Sequence, residues 1–247
     1  MVTKTNTISV ISFIFFIVFL LVPTGSLSKR QRLLLSNDGE QYAVIFDAGS
    51  TGSRVHVFRF NDALDLLQIG DDLEFYQSVK PGLSSYANDP EGAALSILPL
   101  LKDAEQNVPD SFRPNTPVRL GATAGLRLLE GDASERILER VRDLFHNETT
   151  LLSNPDWVAV LDGYHEGAYL WIALNYLLNN LGNNYTETVA TIDLGGGSVQ
   201  MSYAITKESA SNAPNTSNEE EPYVQSMHLI GADYSIYAHR FNFFNLS

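Results

Sequence analysis

The sequence predicts an α/β fold that contains a repeated unit, in which a strand, a glycine-rich turn and a second strand follow one another. The first strand-like run, 42–46, leads into Asp47 and a Gly-Ser turn, and a later run, 188–194, contains Asp193 and leads into a second such turn. Helix-like segments lie between the two turns. With 247 residues, of which 44% are hydrophobic, the chain is long enough to bury a core of this kind.

The strands of the first half predict an antiparallel sheet. Residues 42–46 (YAVIF) are a continuous apolar run, typical of a strand buried on both faces, and residues 54–60 (RVHVFRF) alternate with period two. Because only a short turn separates them, they predict a hairpin. A third strand is predicted over 73–79 and ends at Pro81 and Gly82.

Helices are predicted at three places between the repeated units. The first covers 90–106, although Pro99 predicts a kink or an early stop within it. The second covers 133–146, with Asp132 as the candidate N-cap and apolar residues on one face. The third covers 166–181 and is crowded with Leu, Tyr and Trp, which indicates deep packing.

The remaining elements are short strands and one polar loop. The predicted strands cover 118–121, 157–161, 199–205 and 223–230. The segment 207–221 (KESASNAPNTSNEEE) has low hydrophobicity and predicts an exposed loop. The second repeated unit is therefore expected to end in this loop, before the last of the strands.

The first 28 residues have the pattern of a targeting segment. Lys4 precedes an apolar run over 8–22, which small and polar residues follow, so a signal peptide is the preferred interpretation. The longer uncharged stretch 5–28 that contains this run is long enough to span a bilayer, and an uncleaved membrane anchor therefore stays open. Both interpretations predict the secretory pathway, with the protein extracellular after cleavage, or in the Golgi or plasma membrane without it.

Asparagine sequons agree with that route. Four Asn-x-Ser/Thr tripeptides, at Asn147, Asn184, Asn215 and Asn245, are compatible with a glycoprotein. The chain has no cysteine, so it predicts neither a disulfide nor a thiolate metal site.

The charge balance excludes one class of partner and constrains another. Lys and Arg number 16 against 29 Asp and Glu, a formal net charge of -13, and no basic block is present that could follow a phosphodiester backbone. Nucleic acid is therefore not expected as a partner. So acidic a chain would bind a nucleotide only with metal chelation and local backbone donors.

The two glycine-rich turns have the composition of phosphate-binding loops. Their successive backbone N–H groups, with no bulky side chain in the way, can donate to phosphate oxygens without a lysine. Asp47 and Asp193 would repel those phosphates unless Mg²⁺ or Ca²⁺ with its waters lay between. Two such turns facing each other across a cleft would clamp a polyphosphate, so a divalent cation is expected as cofactor.

Other nucleotide and metal motifs are missing from the sequence. There is no G-x-x-x-x-G-K-[ST] loop and no G-x-G-x-x-G after a strand. His165 and Glu166 begin like a zinc-binding H-E-x-x-H helix, but Tyr169 stands where the second histidine is needed. The zinc-protease interpretation therefore fails.

Four blocks of sequence resemble, in order and spacing, four of the five signature regions of the apyrase family of nucleoside triphosphate diphosphohydrolases, most closely its plant-type members. They are IFDAGSTGSRVHVFRF (45–60), LGATAGLRLL (120–129), LDGYHEGAYLWIALNYLL (161–178) and TIDLGGGSVQMSYA (191–204). The resemblance covers nearly all of the chain after residue 42. It implies the ribonuclease H-like fold shared by actin, Hsp70 and sugar kinases, with two related α/β lobes and a nucleotide cleft between them.

Carried over residue by residue, the resemblance implies a role for each candidate site residue. Asp47 and Asp193 would hold the metal through its waters, and Glu166 would be the general base that takes a proton from the attacking water. The residues that position that water would be Thr123, Ser198 and Gln200. The phosphate-binding residues would be Gly49, Ser50, Thr51, Gly52 and Ser53 in the first turn, and Gly195, Gly196, Gly197 and Ser198 in the second.

The activity implied by the resemblance is hydrolysis of the terminal phosphates of nucleoside tri- and diphosphates, ATP and ADP among them, with Ca²⁺ or Mg²⁺ as cofactor. In-line attack of water on phosphorus needs a positioned nucleophile and neutralised charge, and no covalent intermediate. The residue types of the two turns and Glu166 suit those needs. Arg54 and Arg127 stay open between phosphate contacts and structural ion pairs.

Members of that family are roughly twice this length, as expected for two full lobes. The resemblance therefore implies a first lobe over 41–160 and an incomplete second lobe over 161–247, truncated at the C-terminus. Two alternatives stay open. One is another enzyme of the same fold, such as a sugar kinase or exopolyphosphatase, and the other is a non-catalytic nucleotide- or glycan-binding fragment that keeps the phosphate loops.

Overall fold

The computed structural model describes residues 39–62, 65–194, 198–214 and 222–242, which form two compact units with the boundary between Leu161 and Asp162. Several features of the sequence lie outside the described residues. They are the N-terminal segment 1–28, the turn residues Gly195, Gly196 and Gly197, and the sequon residues Asn215 and Asn245. In the part of the chain that the structure describes, no helix is long and apolar enough to cross a bilayer.

A mixed sheet forms the centre of the first unit. Its strands are β1 (Glu40–Ala48), β2 (Ser53–Asn61), β3 (Leu66–Leu67), β4 (Phe75–Val79), β5 (Val118–Ala122) and β6 (Val158–Val160). The order is β3-β2-β1-β5-β6, and β4 also pairs with β2. β1 and β2 form the predicted antiparallel hairpin, whereas β1, β5 and β6 run parallel to one another. Parallel neighbours need a crossover, which helices provide on both occasions.

The helices described in this unit are α1 (Pro90–Gln106), α2 (Ala124–Arg127) and α3 (Ala133–Glu148). α1 and α3 contact each other, and their apolar faces share one core with the central hairpin. Among the core residues are Val44, Phe46, Val55, Val57, Ile97, Leu101, Val141 and Phe145. The rings of Phe46 and Phe145, 5.2 Å apart between centroids, join β1 directly to α3. This packing fixes the strand that carries Asp47.

Two predictions for these helices need correction. α1 continues through Pro99, so the predicted early stop is wrong. Pro99 is exposed, whereas Ile97 and Leu101 on the core side are fully buried, and burial of that face offsets the missing hydrogen bond, which costs about 3 kcal/mol. Asp132 precedes α3 as predicted, but it makes no capping hydrogen bond and instead pairs with Arg136 Nε at 3.1 Å.

The second unit is an antiparallel sheet packed against one long helix. Its described strands are β7 (Thr191–Leu194), β8 (Ser198–Ile205), β9 (Val224–Leu229) and β10 (Ala232–Asn242), in the order β7-β8-β10-β9. Helix α4 (Gly163–Leu177) packs against β7, β8 and β10, and the short helix α5 (Lys207–Ser211) follows β8. Trp171 of α4 and Tyr234 of β10 are both buried, with ring centroids 5.4 Å apart.

The ends of α4 differ from the predicted range of 166–181. The helix begins three residues earlier because Asp162 is its N-cap and accepts a hydrogen bond from the His165 N–H at 2.7 Å. It ends earlier because Asn179 takes up a left-handed conformation, with φ 55°, just after the last turn.

Two elements of the second unit lie where the sequence predicts none, as do β3 and α2 in the first unit. α5 occupies the start of the predicted loop 207–221, and it forms because the Thr206 hydroxyl accepts the Ser209 N–H at 2.9 Å. β10 is joined to β9 by Ile230 and Gly231, both with positive φ (48° and 79°), in a two-residue hairpin turn.

Candidate functional site

The turn between β1 and β2 carries the first group of candidate residues. Asp47 lies opposite Arg54 in the hairpin register, and the next pair is Ala48 with Ser53. The N–H of Gly49 donates to the carbonyl of Gly52 at 3.1 Å and closes the turn. The predicted phosphate-binding residues therefore form one tight turn, 49–52, followed by Ser53 as the first residue of β2.

Asp47 is buried as half of an ion pair. It is 2% exposed, and Arg54 Nη1 lies 3.0 Å from its Oδ2. Burial raises the pKa of Asp47, because desolvation penalises the charged form, while Arg54 and His56 oppose this effect. Of the two roles left open for Arg54, the structure shows the ion pair.

Arg127, the other arginine with an open role, binds backbone at the end of β6. Its Nη1 donates to the carbonyl of Leu161 at 2.5 Å. This hydrogen bond ties α2 to the last residue of the first unit.

Two glycines outside the turn allow neighbouring segments to pack closely against its backbone. A Cβ on Gly82 would lie 2.5 Å from the carbonyl oxygen of Gly49, and one on Gly125 would lie 2.8 Å from Cα of Ser50. Contacts this short leave no room for any side chain, so both positions require glycine. Gly82 is predicted only as the end of a strand. Gly125 lies inside the 120–129 block, which is the signal that could have identified it.

Thr123 is the one predicted water-positioning residue of the first unit. It follows β5 and precedes α2, and its N–H donates to the carbonyl of Ala48 at 3.2 Å. The side chain is 8% exposed. The parallel pairing of β1 with β5 therefore brings Thr123 to the start of the turn that follows Asp47.

The second hairpin repeats the arrangement in the second unit. Asp193 on β7 lies opposite Gln200 on β8, and both are buried, at 7% and 1% exposure. Ser198 begins β8 and is also buried. The glycines of this turn fall outside the described residues, so the site is defined here by the strands on either side.

Gln200 has a buried acceptor that no group in the described part of the chain satisfies. Its Nε2 donates to the hydroxyl of Ser198 at 2.7 Å, while its Oε1 has no hydrogen-bond partner among the described residues. A buried acceptor without a partner costs about 1–3 kcal/mol, so such groups usually face a ligand or a water.

Glu166 lies in the first turn of α4 and is 8% exposed. The helix approaches β8 closely at the next residue, because a Cβ on Gly167 would lie 2.6 Å from Ser202 Oγ and 3.2 Å from Gln200 Cβ. The first turn of α4, and with it Glu166, therefore lies beside the strand that carries Gln200. The predicted helix start at residue 166 overlooks Asp162, the cap that sets the observed start, although an Asp at the beginning of a helix is a usual capping signal.

The donor groups suit a hard cation. Carboxylate, amide and hydroxyl oxygens, as on Asp193, Gln200 and Ser198, are the ligand types that Mg²⁺ and Ca²⁺ take, and the unsatisfied Gln200 Oε1 fits a hydrated ion or its water. Across the described ranges, no three or more His, Cys, Asp or Glu side chains cluster to bind a metal directly. A cation here would keep most of its ligands as water or substrate oxygens.

Comparison with known proteins gives matches along most of the chain. A family model described as the GDA1/CD39 (nucleoside phosphatase) family matches residues 33–246. A nucleoside-triphosphatase of Pisum sativum is 55% identical over 215 residues, which are 87% of this chain and 47% of the relative. An apyrase of Solanum tuberosum is 55% identical over 237 residues, 93% of this chain and 52% of the relative. The chain thus spans about half the length of these curated relatives.

A solved structure confirms the fold class. The crystal structure of nucleoside triphosphate hydrolases from Neospora caninum has a TM-score of 0.58 with 18% identity, over 83% of this chain and 45% of that chain. At this identity the likeness shows the fold alone, and it agrees with the predicted α/β fold class.

Proposed function

The chain belongs to the GDA1/CD39 (nucleoside phosphatase) family, and from this premise we propose that it hydrolyses the terminal phosphates of nucleoside tri- and diphosphates such as ATP and ADP. Relatives named nucleoside-triphosphatase and apyrase support the proposal. Because the chain spans about half of their length, the proposal rests on the chain's own residues.

The observation that carries the proposal is the unsatisfied Oε1 of Gln200. The Ser198 hydroxyl accepts from the amide nitrogen at 2.7 Å, so the amide oxygen is the end of the side chain that is left to accept a hydrogen bond from a bound water. Glu166 lies in the helical turn beside this strand. A water that donates to Gln200 Oε1 and to Glu166 would be positioned and deprotonated by the same pair.

In the proposed reaction, this water loses a proton to the carboxylate of Glu166 as its oxygen attacks the terminal phosphorus. The bond between that phosphorus and the bridging oxygen breaks, and the products are inorganic phosphate and a nucleotide with one phosphate fewer. Thr123, Ser198 and Gln200 are the proposed water-positioning residues.

The phosphate groups need donors and charge neutralisation. The proposed donors are the backbone N–H groups of the first turn, Gly49 to Ser53, and of the second, Gly195 to Gly197, with Ser198. A Ca²⁺ or Mg²⁺ ion, held through its waters by Asp47 and Asp193, would neutralise the charge that develops on the phosphoryl oxygens.

The same proposal includes the secretory pathway as the location. The apolar run within residues 1–28 supports it as a signal peptide or, if uncleaved, as a membrane anchor in the Golgi or plasma membrane. The predicted extent of two lobes, 41–160 and 161–247, is part of the proposal too.

A phosphate-release assay on the purified chain tests the activity. ATP and ADP are supplied with Ca²⁺ or Mg²⁺, and with a chelator as blank. Glu166→Gln is expected to lower kcat by roughly 10²- to 10⁴-fold. Glu91→Gln is the matched control, since Glu91 also lies in the first turn of a helix but is exposed, and it should leave kcat unchanged.

Other results would replace the proposal. Nucleotide binding without phosphate release would favour a non-catalytic nucleotide-binding fragment, and consumption of inorganic polyphosphate in preference to ATP would favour another enzyme of the same fold. Equal loss in both glutamate variants would remove Glu166 from the base role.

A further inference from the structure

The connection between α4 and β7 presents one of the asparagine sequons at the surface. Asn184, Tyr185 and Thr186 form an Asn-x-Thr tripeptide, and Asn184 caps a short 3-10 turn over Tyr185–Glu187. Both Asn184 and Thr186 are exposed. The tripeptide therefore lies in a folded turn that leaves its two reactive side chains in solvent.

The hydrogen bonds of this turn involve one end of the Asn184 side chain. Its Oδ1 accepts the N–H of Thr186 at 3.0 Å and the hydroxyl of Thr186 at 3.0 Å. In the described part of the chain, Asn184 Nδ2 takes no part in any of these bonds. The amide oxygen is held and the amide nitrogen is left available, which is the nitrogen that N-glycosylation modifies.

The residues just before the sequon are anchored to the sheet. The hydroxyl of Tyr234 accepts the Gly182 N–H at 2.9 Å and donates to the carbonyl of Asn183 at 2.7 Å. Because Tyr234 itself is 1% exposed, this anchor is part of the core. Bulk attached at Asn184 would extend into solvent from a fixed turn, with no need to displace packed side chains.

We propose that Asn184 carries an N-linked glycan when the chain is in the secretory lumen. In the transfer, a bond forms between Nδ2 of Asn184 and the anomeric carbon of an oligosaccharide donated by a lipid diphosphate. The bond between that carbon and the diphosphate oxygen breaks, the lipid diphosphate leaves with the electron pair, and the amide proton passes to base. No group is oxidised or reduced.

A second described sequon, at Asn147, offers a contrast. Asn147 lies in the last turn of α3, and the hydroxyl of its partner Thr149 donates to Glu105 Oε1 at 2.8 Å and accepts the Leu151 N–H at 3.1 Å. In the folded chain this hydroxyl joins α1 to the segment that leads from α3 to β6. Among the described residues it makes no hydrogen bond to Asn147. Asn147 is exposed like Asn184, so the two sequons differ in the third residue: the Thr149 hydroxyl is engaged with Glu105 and Leu151, whereas the Thr186 hydroxyl binds its own asparagine, and Asn184 is the assigned site.

The position of Asn184 also determines what the glycan leaves untouched. Glu166 lies in the first turn of α4, and the helix continues from it for roughly 16 Å to Leu177, at about 1.5 Å per residue. β7 then runs back toward Asp193. Asn184, in the connection between them, therefore lies at the end of the second unit away from Glu166 and Asp193, so its glycan should not obstruct those residues.

Site mapping on the wild-type chain tests this inference independently of any hydrolytic activity. The full chain is translated with endoplasmic-reticulum membranes, protease protection selects chains in the lumen, and glycosidase treatment in heavy-oxygen water marks each formerly glycosylated asparagine for mass spectrometry. The expected result is a mark on Asn184 and none on Asn147.

Variants sharpen the assignment. Asn184→Gln and Thr186→Ala should each remove one glycan, seen as one step of increased gel mobility, whereas Thr186→Ser keeps the hydroxyl and should keep the glycan. Asn147→Gln is the matched control and should not change mobility. An unmarked Asn184 in protected wild-type chains, a mark on Asn147 in its place, or a chain that never becomes protected would each overturn the proposal.

Discussion

Arg54 Nη1 lies 3.0 Å from Oδ2 of Asp47, directly across the β1–β2 hairpin. The aspartate side chain is 3% exposed and the arginine side chain 30% exposed, so the guanidinium reaches from a buried carboxylate into solvent. A Cβ on Gly49 would lie 2.9 Å from the same nitrogen. The arginine therefore lies against the turn that we propose binds phosphate, while it neutralises the residue proposed to hold the cation.

Arg54→Gln should alter cation and nucleotide binding in opposite directions. Without the guanidinium, no fixed positive charge competes with a cation for Asp47, so Ca²⁺ affinity should rise a few-fold, which is on the order of 1 kcal/mol for a partly exposed pair. ADP affinity at saturating Ca²⁺ should fall, because a positive charge beside the turn is lost. Isothermal titration measures both. Arg140→Gln, an exposed arginine on α3 with the same charge change, should affect neither; parallel changes in the two variants would contradict the prediction.

Asp47→Asn should separate stability from cation binding. Because burial raises the pKa of Asp47, the charged carboxylate is disfavoured in the folded chain without a cation. A neutral amide of the same shape should therefore leave the thermal midpoint unchanged or raise it. The increase in midpoint that Ca²⁺ or Mg²⁺ gives the wild type should disappear, since that increase requires binding to the folded state. Thermal scans with and without cation measure both effects, and a variant that still responds to cation would remove Asp47 from the cation site.

Glu105 should make the first unit sensitive to acid. Burial alone would raise the pKa of Glu105, but hydrogen bonds from the N–H and hydroxyl of Thr150 and the hydroxyl of Thr149 outweigh it and lower that pKa below 4.5. A lowered folded-state pKa means that the stabilisation is fully present above pH 4.5 and is lost as the pH falls through the folded value.

Glu105→Gln should accordingly reduce the free energy of unfolding near pH 7 by on the order of 1 kcal/mol. The difference from wild type should narrow below pH 4.5, where the wild-type carboxylate is protonated as well. Urea unfolding at a series of pH values measures it, with the exposed Glu91→Gln as control. A difference that stays constant down to pH 3 would show that the charge of Glu105 is not what stabilises this contact.

Gly125→Ala should disturb the first turn from outside it. The new Cβ would lie 2.8 Å from Ser50 Cα and 3.1 Å from Ser84 Oγ, and crowding of this kind costs about 1–3 kcal/mol. Nucleotide affinity should fall together with stability, because Ser50 is displaced. Gly131→Ala is the control: its site is open but has a φ of +63°, so it should cost about 1 kcal/mol of stability without a change in affinity. Unchanged affinity in Gly125→Ala would show that the turn tolerates displacement.

Local signals predict the hairpins but not every element around them. The alternation of 54–60 and the glycine turn before it are sufficient for β1 and β2, because both signals lie in adjacent residues. β10 depends instead on pairing with β8, which is distant in sequence, and its own residues alternate weakly. The ends of α4 are determined by single residues, the cap at Asp162 and the left-handed Asn179, which periodicity does not detect.

The candidate site also has features that a local motif identifies and features that only tertiary contacts reveal. Asp47, Glu166 and Gln200 are identified by residue type and by their place in a motif, and the structure gives the burial and contacts of each. The requirement for glycine at positions 82 and 125 comes from contacts with the turn across the fold, which no local pattern contains. The unsatisfied oxygen of Gln200 likewise becomes visible only when its neighbours are in place.

The two hairpins share a backbone plan but differ in the residue that faces the aspartate: Arg54 opposes Asp47, and Gln200 opposes Asp193. A guanidinium cancels charge, whereas an amide only orients dipoles. The same cross-strand position therefore supplies a charge that balances the aspartate in the first hairpin and a neutral amide in the second.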